Sequence, residues 1–131
     1  MKDSDRQLLV DLRRALLHLH KTLLDWERAA YERVHGRTAA AELLKVIVTD
    51  PQFEWLRPLS ALIVRIDESL EIDALEGPEI DVPLILSQAR ALISPDETGS
   101  PAAQRYYAAL QDHPDAVLAH GAVSMLLKTS R

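Results

Sequence analysis

Between Ser4 and His35 the apolar residues Leu9, Leu12, Leu16, Leu19, Leu23, Trp26 and Ala30 recur at alternating spacings of three and four. That interval marks one face of an α-helix packed against other helices, and nothing else in the sequence restricts the fold as strongly. Such a helix spans about 48 Å, long enough to be the spine of a small domain. Ser4 and Gln7 stand in capping-box spacing at its start, with Asp3 and Asp5 where the helix dipole favours negative charge. At its end Gly36 can take the left-handed conformation that closes a helix.

The stripe is not purely apolar. On a helical wheel, Val10, Leu17, Leu24 and Tyr31 lie about 100° from the row of Leu9, and Arg13, His20, Glu27 and Val34 fall between the two rows. His20 and Glu27 are two turns apart, roughly 10 Å along the axis, so each needs its own partner from a facing helix. Arg65 and Asp67, beside the apolar stripe of a later helix, are the candidates. His20, Glu27, Arg65 and Asp67 are therefore the expected buried polar cluster or ligand site.

Downstream, Thr38 is placed to cap a second helix reaching about Val48, and the short link predicts that it doubles back on the first. Asp50-Pro51 opens a third, to about Glu71, with Leu56, Leu59, Ile63, Ile66 and Leu70 on its face. Pro58 lies inside that span and predicts a kink near Trp55; the alternative is a separate short turn with Pro58 opening the helix. Residues 72–82 read as an acidic loop. Helix four begins near Asp81 or Val82, helix five at Ser100-Pro101, and a last helix runs from Pro114 to Lys128 with Val117, Leu118, Val123, Leu126 and Leu127 inward. The expectation is an all-α, single-domain antiparallel helical bundle over residues 1–131, with four main helices, one or two short ones and the N-terminal helix as spine.

Size and composition suit it. A chain of 131 residues buries roughly two-thirds of its unfolded surface. With 47% apolar but only 5% aromatic residues, the core must be aliphatic. The absence of cysteine excludes disulfides, thiolate metal sites and a cysteine nucleophile. The first residues lack a signal peptide's apolar segment, and no apolar run approaches membrane-spanning length, so a cytoplasmic protein is expected. Net charge is −5, concentrated in Asp67, Glu68, Glu71, Asp73, Glu76, Glu79 and Asp81, a block with no interspersed base. Such a block repels phosphates and argues against a nucleic-acid partner.

Motifs for chemistry are sparse. Glu32 and His35 have the Glu-x-x-His spacing of carboxylate-bridged metal sites but lack a second copy. His18 and His20 point to different sides of a helix, and His113 and His120 carry no ligand pattern. No glycine-rich phosphate loop, nucleophile elbow or His-Glu-x-x-His occurs. Trp26, Tyr31, Trp55, Tyr106 and Tyr107 could line a cavity for a flat ligand, but at helical spacing such residues belong to a core, and no cofactor or metal is expected. No stretch resembles a known family closely enough to transfer residues. The reading is a protein acting through contacts with a protein partner or a second copy of itself, as an adaptor, regulator or assembly subunit rather than an enzyme. The alternative is a ligand-binding or catalytic bundle in which His20 is the acid or base, Glu27 its electrostatic neighbour, and Arg65 or Asp67 the orienting group.

Overall fold

A computed structural model describes residues 1–128. Among the described residues there are six α-helices, one 3-10 helix and no strand: α1 (Asp3–His35), α2 (Ala40–Thr49), the 3-10 helix (Pro51–Leu56), α3 (Arg57–Ala74), α4 (Val82–Leu92), α5 (Pro101–Asp112) and α6 (Pro114–Lys128). The all-α expectation holds. None of these helices is long and apolar enough to cross a membrane.

The α1 stripe becomes the axis of the core. Leu9, Leu12, Leu16 and Leu19 are wholly buried and Leu23 nearly so. α6 and α3 make the most extensive contacts with α1, and one continuous apolar cluster joins it to the 3-10 helix, α3, α4, α5 and α6. Fully burying one such leucine is worth about 1.5–3 kcal/mol relative to leaving it in water, which is why the spacing of these residues dictates which side of α1 faces inward.

Local signals were obeyed where the expected cap could reach. Asp50 accepts from the Gln52 N–H, Asp81 from the Leu84 N–H and Ser100 from the Ala103 N–H, each followed by a proline in the first turn. Gly36 closes α1 with φ 83°, its N–H donating to the Glu32 carbonyl.

Elsewhere tertiary contacts displaced the expected caps. α1 starts at Asp3, so Ser4 lies within it and Gln7 reaches Asp11 instead. The first turn is held from outside by Asp73, which meets the N-terminal ammonium at 3.2 Å and Arg6 at 2.8 Å. Thr38 does not cap α2, because its N–H donates to Glu32 Oε2, and Ala39 takes the capping position without a side-chain bond.

Two expectations are overturned. The second helix does not double back on α1; α2 packs chiefly on the 3-10 helix, burying Leu43 and Val46. Its link from α1 is extended at both ends, with ψ near 174° at Gly36 and 152° at Ala39. Nor is there a kinked helix through Pro58. Pro51–Leu56 is a separate 3-10 segment, and Pro58 lies in the first turn of α3, where its missing N–H costs no helical hydrogen bond. Leu56 takes the capping position of α3 without a side-chain bond, since the 3-10 helix leads directly into α3.

Candidate functional site

The row of ionisable groups inside the α1 stripe forms a polar seam with the elements opposite. Arg13 is paired with Asp67, and His20 Nε2 lies 3.1 Å from Ser60 Oγ. Glu27 meets Gln52 and Trp55. Arg6, one heptad before Arg13, meets Asp73 and the Leu70 carbonyl. As the chain ascends α1 its partners descend in number, so the facing segment runs antiparallel to α1 in a single register. Polar groups spaced by seven act here as they do in coiled coils, where a slip of register would leave each unpaired.

At its far end the seam closes on Glu27, whose side chain is wholly buried. Its Oε1 accepts from Gln52 Nε2 at 2.9 Å and Arg105 Nη2 at 2.7 Å; its Oε2 accepts from Trp55 Nε1 at 2.7 Å and Arg105 Nε at 2.9 Å. Arg105 also lies over the Trp26 ring, 4.2 Å from its centre, and the Trp26 indole donates to Asp112 at 2.6 Å. One carboxylate thus ties α1, the 3-10 helix and α5 together. Burial alone raises the pKa of Glu27, but hydrogen bonds from Arg105, Gln52 and Trp55 and the charge of Arg105 outweigh it and leave the group below its ordinary value. All four acceptor positions of the anion are in use, so it could take a proton only by surrendering a bond.

The four residues expected to converge do not share partners. Glu27 has the set just described, while Arg65 is exposed and bonded to Gln88. Asp67 is exposed with Arg13, and His20 is half-buried against Ser60. Burial lowers the His20 pKa, favouring the neutral ring at pH 7. Ser60 and His20 do have the separation of a nucleophile and its base. Ser60, however, sits within α3, where backbone N–H groups serve the helix and are not free to receive an oxyanion.

The residues that complete the Glu27 cluster, Gln52, Trp55 and Arg105, carried little signal in sequence. Gln52 and Trp55 lie in the segment read as ordinary helix, and Arg105 is an isolated base beside two tyrosines. Arg6 was legible as the heptad position before Arg13. Other candidates are occupied locally: Glu32 accepts from Thr38 and Arg28, and His35 stacks on Tyr31 at 4.2 Å. Among the described residues no group of three His, Cys, Asp or Glu side chains is placed to hold a metal ion. The aromatics are dispersed, with Trp26 under Arg105, Tyr31 near Phe53, and Trp55 and Tyr106 at one small cavity.

Compared with protein-family models, curated protein sequences and solved structures, the chain gives no match.

The last helix departs most from its expected orientation. Val123 and Leu127 are buried as expected, but the inward face is completed by Ala116 and Ala119. Val117 and Leu118 point outward, 49% and 73% exposed, and Met125 is 63% exposed. The small alanines let α6 lie close to α1, which rotates the larger residues into solvent.

Proposed function

We propose that this protein acts through protein contact, as an assembly subunit in which the outer face of α6 packs antiparallel on the same face of a second copy. The observation that carries this reading is the composition of that face. Val117, Leu118, Ala122 and Met125 are exposed on a helix whose opposite side is already in the core. A surface helix ordinarily turns a polar side outward, whereas one apolar all round suits burial on both sides.

Two further features favour a second copy. Gly121 lies between Val117 and Met125 on this face; among the described residues a Cβ there would meet nothing within 4 Å, so their packing does not require the glycine. It costs the helix about 1 kcal/mol relative to alanine, yet it permits close approach by an outside helix. The charged residues of α6 are Asp115 in its first turn and Lys128 in its last. Antiparallel pairing sets each acidic end against the partner's basic end, and a two-fold axis near Gly121 brings Val117 of one copy against Met125 of the other. Lys21, Asp25 and Asp115 border Leu118 as a polar rim around the apolar centre. We place the protein in the cytoplasm as part of the same reading, supported by a sequence without disulfides to lose in a reducing compartment.

Sedimentation velocity tests it. Wild type is expected to sediment as a dimer, and Leu118→Glu as a monomer with unchanged helicity. A wild type that stays monomeric throughout the concentration series contradicts the reading.

A further inference from the structure

Between α1, the 3-10 helix, the start of α3, the end of α4 and the first turns of α5 lies a partly enclosed cavity of about 130 Å³. Its walls include Leu19 and Leu23 of α1, Trp55, Leu59, and Ala103 and Tyr106 of α5; among the described residues no Asp, Glu, Lys, Arg or His lines it. An apolar cavity of roughly 150 Å³ stays dry and accepts benzene, so this volume matches one small ring. It falls below the ~300–1,000 Å³ of sites for drug-sized ligands, and so far below what a haem or flavin needs.

The two aromatic walls are fixed before any ligand arrives. The Trp55 indole N–H is held by Glu27 Oε2, and the Tyr106 hydroxyl is hydrogen-bonded to His120 Nδ1. Burial raises the Tyr106 pKa and lowers that of His120, which favours a phenol donating to a neutral imidazole. Walls ordered in advance spare a ligand the entropy of ordering them. An ion entering the cavity would lose its hydration and find no countercharge among the lining residues.

Two hydroxyls add a polar edge. Ser94 Oγ donates to the Arg90 carbonyl at 2.7 Å and keeps its lone pairs, while Ser100 Oγ accepts from the Ala103 N–H at 3.2 Å and keeps its proton. Together they offer one acceptor and one donor at the solvent-exposed rim of the cavity. We propose that this cavity binds a small neutral molecule, a single aromatic ring or a branched alkyl group carrying at most one hydroxyl. The Glu27 cluster then has a second role, holding Trp55 in place as a wall of the site.

Toluene, phenol and benzoate, titrated into the full chain, test this through the indole N–H resonances, with Trp26 as an internal control. Toluene and phenol are expected to shift the Trp55 resonance saturably and leave that of Trp26 in place, and benzoate to bind at least ~10-fold more weakly. Ala103→Leu fills the cavity and should weaken phenol at least ~10-fold, with Ala102→Leu, at a more exposed lining position, as the second variant should the first fail to fold. Absence of saturable shifts with toluene and phenol, benzoate binding as well as phenol, or a folded filled variant binding like wild type would each overturn the proposal.

Discussion

The Arg105 guanidinium grips both carboxylate oxygens of Glu27, Nε to Oε2 at 2.9 Å and Nη2 to Oε1 at 2.7 Å, across 78 residues of chain. This bidentate pair is the main polar tie between α5 and α1, and the Gln52 and Trp55 donors join the 3-10 helix to it. Glu27→Ala strands three donor side chains around an emptied site. It should lower unfolding free energy by about 2–4 kcal/mol in urea titration, with the partial exposure of Arg105 keeping the cost under that of a fully buried pair. A loss under about 0.5 kcal/mol would mean the cluster is dispensable.

The seam should weaken in importance toward solvent. Arg13 and Asp67 are about 40% and 46% exposed, so removing either should cost only about 0.2–1 kcal/mol by the same titration. A cost for Asp67→Ala equal to that for Glu27→Ala would contradict the ranking by burial.

Acid should destabilise the protein in two stages. Burial lowers the pKa of both His20 and His120 from 6.5, so near that pH the unfolded chain binds more protons than the folded one. Stability is then full above the unfolded value and falls as pH drops below it. Glu27 is also held below its ordinary value, so a second loss follows as pH falls below about 4.5 and through its folded pKa. Urea midpoints across the acid range should show both steps, and the double variant His20→Gln, His120→Gln should flatten the first alone.

Gly121→Ala separates folding from assembly. Among the described residues nothing lies within 4 Å of the added methyl, so the monomer should gain up to about 1 kcal/mol in helix propensity. The same methyl obstructs close approach between copies, so dimer dissociation should become easier. Unfolding of the dilute protein and sedimentation at higher concentration read the two effects apart.

How much of this could be read in advance follows from how local each cause is. The α1 stripe and the proline-marked starts of α4, α5 and α6 depend on short-range pattern and were legible. So was the anomaly of Glu27 and His20 inside an apolar arc, since spacing alone places them there. Their partners were not legible, because Arg105 reaches Glu27 only once α5 has folded back across the core. The inward face of α6 was misread for a related reason. With apolar residues on every side, periodicity no longer distinguishes in from out, and the small size of Ala116 and Ala119 settled it through packing against other elements.

The most direct measurement of the assembly proposed here uses the absence of cysteine from the chain, which makes any introduced thiol unique. A disulfide needs Cα atoms about 4.4–6.8 Å apart, a separation that only closely packed helices reach at their point of nearest approach. Under mild oxidation an equimolar mixture of Val117→Cys and Met125→Cys, positions the two-fold axis sets against each other, should cross-link rapidly into a covalent dimer, while Leu75→Cys, exposed beyond the end of α3, should remain a monomer. Equal and slow cross-linking in the two samples would contradict pairing through the outer face of α6.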